Sequence, residues 1–336
     1  MTDYILRRLL LFIPTLLGIS VATFILIQWV PGGPVEEMIS KVQGLSSLQG
    51  AQSQKITAAE VENIKKYYGF DQPAHIRYFT WLGRLLTGDW GRSHIYHAPV
   101  LEVILSKMPI SLFFGITSFV LAYSISIPLG LMKAMRDGSW FDSISSTLIF
   151  AGYVMPGFAL GILLIIFFGG GSFLDWFPVT GVVSDHHAYL SPTGKVLDFL
   201  HHMILPLTCY MIGEFAFLTM LAKNSVLEEI NKDYVRTALA KGLSRRAAVT
   251  RHAFRNALIP LATGMSEIFV VMFAGSLLIE RVFDIDGMGL LFYNSIVGRD
   301  YSVVLGLIIL VSIFTMLGRL FSDLLYVFID PRIRLS

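Results

Sequence analysis

The sequence predicts an all-α, polytopic membrane protein with about six spans, a helical outer-loop domain and one cytoplasmic elbow. Three observations predict it. Of 336 residues, 54% are hydrophobic and 15% charged, too apolar a balance for a water-soluble domain. The apolar residues gather in runs long enough to cross a hydrocarbon core. The short loops between those runs alternate in Lys/Arg content, as topology requires.

The first span, Leu9–Val30, is uncharged over 22 residues, about 33 Å at the helical rise. Arg7 and Arg8 precede it as in a signal peptide, but the run is too long for a signal core. Val30-Pro31-Gly32-Gly33-Pro34 offers no small-x-small cleavage site, so residues 1–30 are expected to remain as an anchor. The prolines and glycines stop the span, and residues 31–108 form the outer loop. Within it Thr57-Ala58-Ala59-Glu60 is a capping box opening a short helix that ends at Gly69. Pro73 starts a second helix, with Ile76, Phe79, Leu82 and Leu86 on one face and Trp81 suited to a membrane interface.

Residues 109–336 are expected to form a five-span core: Pro109–Met132, Ser145–Phe168, Met203–Ala222, Ala257–Ile279 and Ser302–Phe328. Pro128 and Pro156 predict kinks, either around an opening or in ordinary packing. Glu214 and Glu267 fall inside spans, where a charge costs on the order of 3 kcal/mol or more. Such carboxylates face a cavity, stay neutral, or pair with a second chain; the first reading makes them substrate-pathway residues. Arg319 and Asp323 place the inner end of the last span in protein or at the interface. Lys133 and Arg136, the elbow, and Arg332 and Arg334 mark the cytoplasmic side, which puts both termini inside.

The elbow, residues 224–257, is strongly basic. From Lys223 to Arg255 there are eight Lys/Arg against Glu228, Glu229 and Asp233. Val226, Ile230, Tyr234, Val235 and Ala238 recur at helical spacing, Gly242 suits a left-handed helix end, and Ser244 can cap a second helix. On pattern alone this is either a rigid knob offered to a soluble partner or a solvated loop whose charges only set topology.

Chemistry-bearing motifs are absent from the sequence. Cys209 is the lone cysteine, so no intrachain disulfide or cysteine metal cluster can form. His186-His187 and His201-His202 lack metal-site spacing, and no metal is expected. There is no H-E-x-x-H, no G-x-S-x-G and no phosphate-binding G-x-x-x-x-G-K-[ST], so energy must come from a partner. The chain is not expected to be an enzyme, to hold a cofactor or to bind nucleic acid; the bilayer is its first partner.

The string Tyr234-Val235-Arg236-Thr237-Ala238-Leu239-Ala240-Lys241-Gly242-Leu243, with His252-Ala253-Phe254-Arg255-Asn256-Ala257-Leu258-Ile259-Pro260, resembles the EAA loop of ABC-importer permeases, in its oligopeptide/dipeptide form. Arg236 stands where the wider consensus has Glu, and the gap from Gly242 to Pro260 is longer. Tyr68–Pro73, Trp81–Arg84, Gly88–Ser93, Glu280–Phe283, Gly287–Leu291, Asp323–Tyr326 and Asp330–Ile333 extend the likeness over nearly the whole chain. Phe173–Pro178 and Gly181–Ser184 are similar to the Yej-type branch, associated with oligopeptides and microcin C. The resemblance implies a bacterial inner-membrane permease subunit of a peptide importer. It implies a second homologous permease, two ATPase subunits binding ATP and Mg, and a periplasmic binding protein. Tyr234, Arg236, Thr237, Ala238, Ala240, Lys241, Gly242 and Leu243 would couple to the ATPase, and Asp71, Arg92, Glu280, Gly287 and Gly289 would dock the binding protein. The competing expectation is a proton-coupled secondary transporter using Glu214 and Glu267.

Overall fold

The computed structural model describes residues 2–29, 72–170, 173–265 and 267–329. The capping box at 57–60, the helix end at Gly69, Asp71 and the closing Asp330–Arg334 lie outside the described residues. The described residues contain no strand, only isolated bridges joining Arg92 to Pro99 and Gly169 to Phe177. The chain is all-α: α1 (Thr2–Trp29), α2 (Ala74–Leu86), α3 (Val100–Met135), α4 (Trp140–Val154), α5 (Gly157–Phe168) and α6 (Pro192–Ile230) come first. The elbow holds α7 (Asp233–Ala240), α8 (Arg245–Ala248) and a π-helical turn, Val249–Ala253. Then follow α9 (Phe254–Gly264), α10 (Glu267–Ala274), α11 (Leu277–Val282), α12 (Met288–Val297) and α13 (Tyr301–Ile329).

Among the described residues α1, α3, α6 and α13 are long and apolar enough to cross a membrane, and α4 with α5 would make a fifth span bent by 102°. The bend falls where Pro156 was expected to kink the third span. Met155 is forced extended (φ −84°, ψ 121°) because a helical residue before proline clashes with its ring. Pro128 lies inside α3 without ending it. The predicted fifth span, Ala257–Ile279, is instead a chain of α9, α10 and α11. Gly264 closes the first piece, and Gly275, at φ +66°, turns the chain between the second and third. The helices also outrun their apolar cores: α6 starts eleven residues before Met203, capped by the Ser191 hydroxyl accepting from Gly194 N–H. Periodicity in an apolar run marks what can sit in lipid, while polar turns at either end continue the helix beyond it.

The chain forms two compact units. One comprises Met1–Leu9, Lys107–Leu291 and Val311–Ser336. In it α6 packs against α3, α4, α5 and α9, with buried clusters around Phe114, Met203, Leu205, Cys209 and Phe283, and around Ala122, Leu218, Ala222 and Leu261. Glycines set the closest approaches: a Cβ on Gly130 of α3 would come within 2.5 Å of Ala222 Cβ and 2.8 Å of Thr219 O on α6. The inner-end charge of the last span is answered inside this unit. Asp323 accepts from the Tyr4 hydroxyl at 2.8 Å and pairs with Arg8 at 2.9 Å.

The other unit comprises Leu10–Ser106 and Phe292–Leu310. Here Tyr78 of α2 is buried against Phe24, Trp81, Leu82 and Leu305, and its hydroxyl shares a hydrogen bond with Ser20 at 2.9 Å. Ile76, Phe79 and Leu86 of the expected apolar face are exposed within the chain. In lipid an apolar face need not be a core face, and here the half-polar Tyr78 faces the protein.

Candidate functional site: the basic elbow and the Glu280 loop

The elbow takes the form its residues dictate. α7 ends in a Schellman motif: Leu243 N–H donates to Ala238 O at 3.2 Å and Gly242 N–H to Leu239 O at 2.9 Å, with Gly242 at φ +89°. The Ser244 hydroxyl then caps α8 by accepting from Ala247 N–H at 3.3 Å. Small side chains let these short helices close on each other. Val235, Ala238, Ala248, Val249, Ala253 and Ala257 form one buried cluster with Ala134 of α3 and Val226 of α6. The helix expected to run unbroken from Val226 to Ala238 is interrupted at Asn231–Lys232, which turns α7 away from α6.

The predicted coupling residues separate into two sets. Ala238 is buried and Leu243 packs partly onto the same cluster, so they hold the elbow's shape. Tyr234, Arg236, Thr237, Ala240, Lys241 and Gly242 are exposed, joined by Arg245, Arg246, Arg251, His252 and Arg255. The result is a rigid apolar wedge with a cationic outer surface. A network not foreseen from spacing fixes the wedge to the helices on either side. Glu229 at the end of α6 accepts from the Tyr234 hydroxyl and, at 2.5 Å, from Lys232; Asn256 of α9 donates to the same hydroxyl at 3.1 Å. Burial pushes the Tyr234 phenol up, and its bond to Glu229 pushes the same way, to about 12.

Glu280 is fully buried, and it organises the loop that contains Gly287 and Gly289. Its Oε1 accepts from the Tyr210 hydroxyl at 3.0 Å and Ser276 N–H at 3.1 Å, and Oε2 accepts from Leu290 N–H at 2.7 Å. Gly287 is there because its backbone passes directly over the carboxylate, and Gly289 because its backbone passes over that of Ser276 and Leu277. A Cβ on Gly287 would lie 2.7 Å from the Glu280 carboxyl carbon, and one on Gly289 2.5 Å from Leu277 N. Met288 N–H donates to the Ser111 hydroxyl at 2.9 Å, and Lys107 pairs with Asp286, which ties the loop to α3. Because Glu280, Gly287 and Gly289 are buried, a partner touching this loop meets Arg281, Asp284 and Asp286, which are exposed.

In the other unit the Gly88–Ser93 segment is knotted onto Asp300. Asp300 takes the Ser93 hydroxyl and pairs with His94 at 3.5 Å, while Arg92 donates to His97 O at 3.0 Å. Burial pushes the Asp300 carboxyl up, but His94 and Ser93 outweigh it and hold the group below its ordinary range. Arg92 thus spends one donor on its own turn.

Glu214 is half-buried on α6. Glu267 opens α10, and its side chain lies outside the described residues. Three of the paired histidines hold local structure: His187 bonds the Asp198 carboxylate Oδ2 at 2.7 Å, His202 bonds the Asp198 carbonyl at 2.8 Å, and His201 bonds the Trp176 carbonyl at 2.7 Å. Among the described residues no three His, Cys, Asp or Glu are grouped to hold a metal.

A family model described as the binding-protein-dependent transport system inner membrane component matches residues 126–335, which span the elbow and the Glu280 loop. This chain belongs to that family. It is 40% identical to the peptidoglycan transport system permease protein YejB of Agrobacterium fabrum, over 99% of this chain and 98% of that protein. It is also 40% identical to the inner membrane ABC transporter permease protein YejB of Escherichia coli O157:H7, over 99% of each. The oligopeptide transport system permease protein AppB of Bacillus subtilis is 34% identical, again over 99% of each. The chain is therefore a multi-pass inner-membrane permease component of a transport system that works with a binding protein. The secondary-transporter expectation is set aside.

Proposed function

We propose that this chain is the membrane-spanning permease subunit of an ATP-driven importer of peptides, and that its elbow is where the ATPase pushes. The observation that carries the reading is the elbow itself: a Schellman-terminated helix on a core of alanines, basic outside, in a chain of this family. An element that transmits force must be stiff internally and exposed externally, and this one is both. Peptide is the cargo class named for relatives that match the chain end to end.

In this reading a second, homologous permease completes the pathway, and two ATPase subunits bind ATP and Mg. The elbow and both termini lie in the cytoplasm. Arg236, Thr237, Ala240 and Lys241 meet the ATPase, while Ala238, Gly242 and Leu243 keep the wedge in shape. A periplasmic binding protein delivers peptide to the outer loops, through Arg92 in one unit and the exposed rim around Glu280 in the other. Glu214 and Glu267 offer carboxylates to a peptide's amino terminus or basic side chains.

Cys209 is buried, so a cysteine placed at Arg236 in a Cys209→Ser background can be cross-linked selectively. Cross-links to the ATPase subunit, from the cytoplasmic side only, are expected. An Arg236→Cys complex that labels from outside, or captures no ATPase when the neighbouring subunits are co-expressed, overturns the assignment. Uptake into vesicles is expected to need ATP and to survive collapse of the proton gradient.

A further inference from the structure

Near the elbow core lies a charge cluster that plays no part in the docking surface. Lys133 near the end of α3 is completely buried, Asp142 at the start of α4 is 5% exposed, and Lys223 of α6 is 9% exposed. Lys133 Nζ donates to Asp142 O at 2.9 Å, Ser145 Oγ at 2.7 Å and Ser146 Oγ at 2.9 Å. It also lies 3.0 Å from Asp142 Oδ1, a charge contact without an aligned hydrogen bond. Lys223 Nζ reaches Asp142 Oδ2 at 2.7 Å and Asp137 Oδ1 at 2.8 Å. Two cations thus meet two carboxylates, and one aspartate, Asp142, joins three helices.

Its position gives it a task. Ala134, the residue after Lys133, is in the elbow core, and so is Val226, three residues after Lys223. Between these helices Gly130 lets α3 approach α6 so closely that a Cβ there would strike Ala222. Apolar contacts alone would let the helices slide over one another, since lipid offers no hydrophobic penalty against it. A buried charge pair resists sliding, because any displacement leaves an uncompensated ion.

We propose that Lys133, Asp142, Lys223 and Asp137 form the joint that passes elbow movement to α3, α4 and α6 together. They are positioning residues: Lys133, Asp142 and Lys223 are buried, and the half-exposed Asp137 acts through its bond to Lys223. The proposal rests on the reading of the elbow as the coupling element.

The test uses the assembled complex in proteoliposomes. Lys223→Met with Asp137→Asn removes the α6 arm but leaves a balanced Lys133–Asp142 pair, with Gly138 N–H still donating to Asp142 at 3.2 Å. Assembly and basal ATP hydrolysis are expected to be unchanged. Uptake should fall by about tenfold or more, and loaded binding protein should no longer stimulate hydrolysis. Uptake within about twofold of the parent overturns the joint. Failure of the double variant to assemble also overturns it, in favour of a folding role. Gly242→Val is run in parallel: if that elbow variant transports normally, it is the coupling reading that fails.

Discussion

The Glu280 carboxylate can be replaced by an isosteric amide, and the structure says that this small change is not silent. Both oxygens are committed as acceptors: Oε1 to Tyr210 and Ser276 N–H, and Oε2 to Leu290 N–H. In Glu280→Gln the amide nitrogen must occupy one of these positions. Facing Leu290 it opposes a backbone N–H; facing Ser276 and Tyr210 it leaves Ser276 N–H on the Tyr210 oxygen at 3.1 Å, but the Tyr210 hydroxyl must turn to accept and loses its own acceptor. One buried donor is orphaned either way, a cost of about 1–3 kcal/mol. The loop cannot sidestep, because bare Cα atoms of Gly275 and Gly287 already bracket the carboxylate. Glu280→Ala orphans the Tyr210 hydroxyl and Leu290 N–H, leaves Ser276 N–H with only the Tyr210 oxygen at 3.1 Å, and adds a void, so it should cost more, about 4 kcal/mol or beyond. Tyr210→Phe deletes a single donor and should cost about 1 kcal/mol. Thermal unfolding of the purified complex should rank the losses as Glu280→Ala largest, then Glu280→Gln, then Tyr210→Phe, with Glu280→Gln lowering the midpoint by about 1.5–4 °C. Affinity for the loaded binding protein should fall in parallel, since the exposed rim rides on the same loop. A Glu280→Gln complex that melts within about 1 °C of the parent and transports normally would refute the view that this carboxylate anchors the loop.

Three other outcomes are expected. Gly242 sits at φ +89° with nothing within 4 Å of its missing Cβ, so its substitution is penalised by backbone conformation alone. Gly242→Ala should weaken the elbow by about 1–2 kcal/mol, and Gly242→Val should abolish uptake while membrane insertion, read by protease protection, stays intact. Gly130→Ala drives a methyl into Ala222 and Thr219 O, and should destabilise the α3–α6 pair by about 1–3 kcal/mol, seen as a lower melting midpoint. The Tyr234 phenol, with its folded value raised to about 12, contributes stability that is complete below the ordinary tyrosine range and is lost as pH climbs toward that value. The ultraviolet difference between parent and Tyr234→Phe should therefore show no Tyr234 phenolate at pH 10, and should gain it only near pH 12.

Composition and apolar run length were enough to determine an α-helical membrane protein, because a bilayer admits few backbone solutions. Local chemistry was equally readable at the elbow: Gly242 and Ser244 specify a turn and a cap whatever surrounds them. Family membership was legible because the elbow and the Glu280 loop keep their residues in linear strings. What only the tertiary structure decided was which residues meet. Lys133 reads in sequence as a topology charge, yet it is buried against Asp142, and Glu280 reads as a docking residue, yet it is enclosed by glycine backbones. The predicted span at 257–279 became three helices for the same reason: hydropathy sums a window and ignores the turn that Gly275 makes within it. Hydropathy and caps act over a few neighbouring residues, whereas the partner of a buried charge lies on another helix, at a separation no local pattern encodes.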